Sequence, residues 1–233
     1  MYVSSLSVLH ATKVAGTVAT ESAPMEPRPE ERGSYTRAKF EAESIVRAAV
    51  SEKHLEAIIV RPGHIWSESG PLLSPAVGQR LGRQLLMIGD RDALLPLVHV
   101  DDVVRALILV MRKEIVAGEV FHVVDDDPIS REEIARLYIA SRDPRLRIVH
   151  IPMAVVAAAT SILRGTTHPL GYSLNVSPYR LRSGVASAKY DCTKAHELGW
   201  RPLTKSRTAL RALLGQPLEE RKNLEERQNK AAS

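Results

Sequence analysis

The stretch that most constrains the fold is Ala57-Ile58-Ile59-Val60, running directly into Arg61-Pro62-Gly63. A continuous apolar run of this length suits a strand buried on both faces, the habit of parallel sheets. The proline is expected to stop the pairing, and the glycine lets the backbone turn or approach a ligand closely. Upstream, residues Ser34 to Val50 carry a helical pattern in which Ala38, Ala42, Ile45, Val46 and Ala49 share a stripe. Before that, Met1-Tyr2-Val3 reads as a strand that runs into Ser4-Ser5. Residues 11 to 34, rich in Glu, Pro and Arg without an apolar period, read as a long loop. The order is strand, Ser-Ser, loop, helix, buried strand, Pro-Gly. It predicts an α/β fold with polar groups at the carboxyl ends of strands, where open α/β sheets bind ligands.

The remainder continues the alternation. A helix weakened by two glycines is expected over Pro75–Leu86 and a short strand over Leu97–Val100. Asp101 or Asp102 is expected to cap an apolar helix, Val103–Met111. Glu119–Val124 and Leu146–Ile151 read as strands, and Ser130 with Glu133 as a capping box opening a helix through Tyr138. The apolar segment Met153–Leu163 reads as a packed helix, with a lid or a membrane-surface contact as its functional alternatives. Residues 165–190 read as irregular. There Arg180 and Arg182 are either anion-binding groups or part of a solvated strand face. Asp191 is expected to cap a last short helix ending at Leu198-Gly199-Trp200. The expected organisation is one domain over 1–215 and a charged tail, frayed or disordered, over 216–233.

Composition narrows the partners. The net charge of +5 is scattered and interrupted by acids, as in Glu219-Glu220-Arg221-Lys222, and aromatics are only 4%, so nucleic acid is not expected. A single cysteine, Cys192, excludes an internal disulfide or a cysteine-rich metal site and reads as a small packing residue. No secretory signal is visible, and Met153–Leu163 falls short of the roughly 20 apolar residues that cross a bilayer. A cytoplasmic protein without a membrane span is the expectation.

The chemistry centres on Tyr35 and Lys39. Four residues apart, they lie on one helix face. A phenol ionises near pH ~10 in water, and a neighbouring cation favours its charged form, which would make Tyr35 an acid/base for a hydroxyl or carbonyl. The alternative is an ordinary solvated helix face. What separates the two is order: Ser4-Ser5-Leu6-Ser7, Tyr35-x-x-x-Lys39, Arg61-Pro62-Gly63, His99-Val100-Asp101-Asp102-Val103 and Leu198-Gly199-Trp200 follow one another along the chain. In this the sequence resembles the extended short-chain dehydrogenases/reductases, the NAD-dependent epimerase/dehydratase group, over nearly its whole length apart from the tail.

The resemblance implies a Rossmann-like parallel sheet with a small α/β substrate lobe. It implies Ser5 as the serine that hydrogen-bonds the reacting oxygen, with Ser7 a weaker candidate and a strand-ending backbone cap as the alternative reading. Tyr35 becomes the acid/base, and Lys39 the group that holds the nicotinamide ribose and tunes the tyrosine. Pro62, Gly63, His64 and Ile65 would lie beside the nicotinamide ring of NAD or NADP. His99 with Asp101 and Asp102 reads as a strand end and helix cap rather than a metal or acid/base cluster. The substrate would be a small sugar, sterol-like or other alcohol or ketone, and a homodimer is left open.

Three departures matter. The G-x-x-G-x-x-G turn that grips the cofactor pyrophosphate is absent from this chain. About 100 residues of sheet and helices are therefore expected to be missing ahead of Met1. This chain alone, as a truncated form, is expected to hold NAD(P) poorly or not at all and to be inactive, and a sheet edge and an apolar face are expected to be exposed. The arginine that grips nucleotide-sugar phosphates is replaced by Leu95, followed by Pro96, and Leu9-His10 stands where Tyr-Gly is usual. The opposing reading is a degenerate relative acting as an interaction module without catalysis.

Overall fold

The computed structural model of the chain describes residues 1–159 and 178–215. The end of the Met153–Leu163 segment, part of 165–190 and the 216–233 tail lie outside the described residues. In chain order the elements begin with β1 (Tyr2–Val3), α1 (Ala11–Val14), β2 (Val18–Ala19), α2 (Pro29–Arg32), α3 (Ser34–Ser51), β3 (Ile59–Pro62) and β4 (His64–Trp66). They continue with β5 (Gln79–Leu81), β6 (Gln84–Ile88), β7 (Leu94–Leu95), β8 (Leu97–His99), α4 (Val100–Arg112), β9 (Val120–Val123), β10 (Ile129–Ser130) and α5 (Arg131–Arg142). After β11 (Arg147–Ile151) come the helical residues 153–159 (α6), then α7 (Pro178–Gly184), β12 (Lys189–Tyr190), α8 (Thr193–Glu197) and α9 (Ser206–Gly215).

The apolar run is the middle strand of a parallel sheet ordered β1-β3-β9, and every residue of β3 is buried. Pro62 does not stop the pairing as expected, because it aligns with Val123. The hydrogen bonds explain why. Ser4 N donates to Val60 O on the β1 side, whereas Gly63 N donates to Val123 O on the β9 side. Alternation therefore aims the missing Pro62 N–H at the side from which β1 has already turned away. Past Gly63 the chain passes into a second parallel pair, β4 with β8, and His64 N donates to Pro96 O at 2.6 Å. Gly63 is required sterically: a Cβ there would lie 2.1 Å from the Pro96 carbonyl oxygen, a backbone atom with little room to yield. Gly63→Ala is expected to destabilise by about 1–3 kcal/mol, read as a fall in the urea midpoint.

Several local expectations are corrected. The presumed loop over 11–34 holds α1, α2 and β2, and β2 pairs with β12. Pro75–Leu86 is not a helix: β5 and β6 form an antiparallel hairpin whose turn places Gly82 at φ +57°. A glycine with positive φ at the first turn position matches the right-handed twist of a hairpin. Along β6, Leu85 and Met87 alternate inward with period two. His99, rather than either aspartate, caps α4, its ring nitrogen accepting from Asp101 N. Ser130 caps α5 as expected through Glu133 N, but the helix runs four residues past Tyr138. Arg180 and Arg182 lie on α7 rather than in irregular chain or on a strand face. The Asp191 carboxylate accepts from Thr193 N at the start of α8, although Cys192 occupies the cap position. A further helix, α9, follows the expected last one.

Helix α3 reverses the expected polarity. Ile45, on the alanine stripe, is 70% exposed, and the buried side chains are Thr36 and Glu43. Among the described residues β1 has a sheet neighbour on the β3 side alone.

Two apolar cores result. One gathers Leu6, Val60, Val103, Phe121 and Trp200, and the other Leu85, Leu97, Ile129, Ile134 and Leu210. Asp102, 1% exposed, ties the C-terminal segment to the first core by accepting from Leu203 N and Thr204 N at 2.9 Å each. Trp200 donates its indole N–H to Asp102 O at 2.9 Å. Cys192 is a packing residue: it is buried, and that burial pushes its thiol up to about 12. Among the described residues no helix is long and apolar enough to cross a membrane.

Candidate active site

The end of β1, the first turns of α3 and the end of β3 open onto one cavity of about 530 Å³. Ser5, Tyr35, Lys39, Pro62, Gly63, His64 and Ile65, the residues singled out from sequence, all line it. Ser5 lies where β1 breaks into a one-turn 3-10 helix, Leu6–Val8, and its Oγ accepts from Ser7 N at 3.2 Å. The strand-ending cap reading of Ser5 is what the geometry shows: the hydroxyl accepts with a lone pair, which leaves its O–H as a donor. Ser7 also lines the cavity, and among the described residues its buried Oγ has no hydrogen-bond partner. Tyr35, in the first turn of α3, is 61% exposed.

One turn along, Lys39 Nζ donates to Val3 O at 2.9 Å. Among the described residues that is its one hydrogen-bond acceptor, so two of its three N–H donors remain for a ligand. One further turn along lies Glu43, whose carboxylate meets Ser4 and Arg61 out of contact with water.

Leu94, Leu95 and Pro96 add aliphatic lining, Pro96 lying against the Gly63-His64 turn. Two arginines that the sequence reading passed over also border the cavity. Arg32 pairs with buried Glu26 at 3.1 Å, and the Tyr179 hydroxyl donates to the same carboxylate. Arg131 is 4% exposed and donates to Ile88 O at 2.9 Å and Val77 O at 3.2 Å. No periodicity marks either residue; Arg32 is held by Glu26 six residues before it, and Arg131 by carbonyls of a distant segment. Of the substitutions noted from sequence, Leu9 is buried in the first core and His10 precedes α1 as its cap residue.

His99 and its aspartates build the fold. The His99 ring lies 3.2 Å from the Glu68 carboxylate and packs edge-on against Trp66 at 4.9 Å. Among the described residues there is no cluster of ligating side chains able to hold a metal ion.

Beneath the site, His122 on β9 is fully buried, and among the described residues neither ring nitrogen has a hydrogen-bond partner. Burial, then the neighbouring Arg61 charge, push its pKa down to about 4. The unfolded chain, with His near pH ~6.5, therefore binds more protons between these values than the folded chain does. Stability from this group is complete above about pH 6.5 and falls as pH drops toward about 4, by about 3 kcal/mol in all. Urea midpoints across that range should fall steeply in the natural protein and less in His122→Leu.

Known proteins resemble the chain in sequence and in fold. The sequence pattern of the NAD dependent epimerase/dehydratase family matches residues 1–123. A 3beta-hydroxysteroid-dehydrogenase/decarboxylase isoform 1 of Arabidopsis thaliana is 26% identical over 219 residues, covering 87% of this chain and 49% of the relative. The chain thus spans about half the length of that relative, and 34% of the isoform 2 protein. Among solved structures, a UDP-glucose 4-epimerase with UDP-glucose from Thermotoga maritima aligns over 95% of this chain and 63% of its own. Its TM-score is 0.61 at 21% identity. A dTDP-glucose 4,6-dehydratase from Streptomyces venezuelae with NAD bound aligns over 91% of this chain and 57% of its own. Its TM-score is 0.60 at 20% identity. These likenesses establish the Rossmann-like α/β fold. Together with a family pattern that covers more than half of the residues, they place the chain in the NAD dependent epimerase/dehydratase family, within the extended short-chain dehydrogenases/reductases.

Proposed function

We propose that this chain carries the acid/base and nicotinamide end of an NAD(P)-dependent oxidoreductase or epimerase site, acting on a hydroxyl or carbonyl of a small molecule. The observation that carries the reading is convergence: Ser5, Tyr35, Lys39 and the Pro62-Gly63 turn come from separate segments and border one cavity. Tyr35 holds or takes the proton of the reacting hydroxyl at its phenol oxygen. Ser5 donates its O–H to that same oxygen and fixes its place. The free N–H donors of Lys39 hold ribose hydroxyls, and Pro62, Gly63, His64 and Ile65 form the surface for the nicotinamide ring. The bound cofactor supplies the hydride chemistry. The polar residues lining the cavity fit that group, since a donor-rich lysine and two hydroxyls face the same space as a glycine turn.

Leu95 stands where nucleotide-sugar relatives carry an arginine, and Leu94, Leu95 and Pro96 give the cavity an aliphatic portion beside Arg32 and Arg131; this favours a sterol-like or other apolar alcohol over a nucleotide sugar. The named Arabidopsis relative, a hydroxysteroid dehydrogenase/decarboxylase, points the same way. The test is cofactor reduction, followed by nicotinamide fluorescence, with NAD⁺ or NADP⁺ against 3-hydroxysterols, simple secondary alcohols and UDP-sugars. Reduction with the apolar alcohols is expected of a form that also carries the Gly-rich pyrophosphate turn, and little or none of residues 1–233 alone, which lack it. Failure of that form with every substrate and both cofactors would return the chain to the interaction-module reading.

A further inference from the structure

Three parts of the site meet at one buried carboxylate. Ser4 directly precedes Ser5, and Arg61 directly precedes Pro62-Gly63. Glu43 follows Lys39 by one helical turn and Tyr35 by two. Glu43 Oε2 accepts from Ser4 Oγ at 2.5 Å and Arg61 Nε at 3.2 Å. Its Oε1 accepts from Arg61 Nη2 at 2.6 Å and Arg47 Nε at 2.8 Å. A carboxylate offers about four acceptor positions, so these four bonds fill it and leave none for a substrate proton. Burial alone would push the Glu43 carboxyl up, but the Arg61, Ser4 and Arg47 contacts outweigh it and hold it below the usual carboxylate range. The group stays ionised.

A second clamp lies one turn away, where Lys39 holds Val3 O. The end of β1 is thus fastened to α3 at two successive residues. Neutralising Arg61 would need Glu43 alone. The bond to Ser4 serves a different end, because it fixes the residue from which the Ser5 turn departs.

We propose that Glu43 is a positioning residue. Acting through Ser4 and Arg61, it sets the Ser5 hydroxyl, the Tyr35 phenol and the Pro62-Gly63 turn in one frame, so that both hydroxyls address a single reacting oxygen. The inference rests on the reading given under Proposed function. Displacement of a reacting group by about 1 Å costs about 100-fold in rate, so a carboxylate that never touches substrate still governs turnover.

Ser4→Ala removes the clamp and leaves the Glu43–Arg61 pair in place, whereas Ser4→Thr keeps the hydroxyl. In a cofactor-loaded form that also carries the Gly-rich pyrophosphate turn, Ser4→Ala is expected to lower kcat about 10- to 100-fold, with KM for NAD(P) and the unfolding midpoint nearly unchanged, and Ser4→Thr should recover most of the rate. Unchanged kcat in Ser4→Ala overturns the proposal. So does a loss that merely follows a lower unfolding midpoint and is not rescued by threonine. A second readout needs no turnover. Amide exchange at Ser7 and Val8, whose N–H groups bond to Ser5, should quicken in Ser4→Ala while β3 amides stay protected. If Ser4→Ala shows this change in residues 1–233 while the form carrying the Gly-rich turn gives no turnover, the reaction assignment fails and the clamp stands. If exchange is unaltered, the clamp fails.

Discussion

In a form of the enzyme that also carries the Gly-rich pyrophosphate turn, Tyr35→Phe is expected to lower turnover about 10²–10⁴-fold, the usual contribution of a positioned acid/base, with NAD(P) affinity largely retained. The phenyl ring keeps the bulk of the side chain, and at 61% exposure the hydroxyl takes no part in the core. The fold should therefore be untouched, and the loss should fall on kcat. The check is steady-state kinetics beside a cofactor titration on the same preparation. Turnover preserved in Tyr35→Phe would remove the residue from its role.

The largest stability effect is expected at Glu43. Glu43→Leu leaves Arg61, fully buried on the central strand, without its carboxylate. Breaking one side of a buried ion pair typically costs about 3–5 kcal/mol, because the remaining charge is stranded in low dielectric. Arg47 loses the same partner at little cost, since it can turn to water: its side chain is 37% exposed. Replacing both members, Glu43→Leu with Arg61→Leu, should cost less than the single Glu43 change, since no charge is then left unpaired. Urea unfolding of the three proteins measures this directly. A double variant less stable than Glu43→Leu would mean that the pair contributes more than charge compensation.

Glu43 also marks where sequence reasoning stopped. The buried strand, the Tyr35/Lys39 helix and the Pro62-Gly63 turn were legible because each rests on a local signal: an apolar run, a four-residue spacing, a proline beside a glycine. The inward face of α3 was not. An alanine-rich stripe outranks a glutamate on any apolarity scale, yet Ile45 points to solvent and Glu43 inward. Only Arg61 and Ser4, distant in sequence, make that burial favourable. The Pro75–Leu86 error has a local cause, since short apolar runs do not distinguish the two periodicities, and the glycines that seemed to weaken a helix in fact shape a hairpin. Arg131 reaches the cavity through bonds to carbonyls more than forty residues away, which no single stretch encodes.

The passage of the backbone at Gly63 from one parallel pair of strands to the next has a consequence for how such a protein changes over time. Tyr35, Lys39 and Ser5 stand on segments braced by the core around Val60 and Phe121, whereas Leu94, Leu95 and Pro96 lie beside the core around Leu85 and Ile129. The two cores also meet along β8, where Val98 packs into one and Leu97 into the other. Under the proposed function, a lineage could remodel the residues around Leu94, Leu95 and Pro96 while the segments that carry Tyr35, Lys39 and Ser5 are inherited intact.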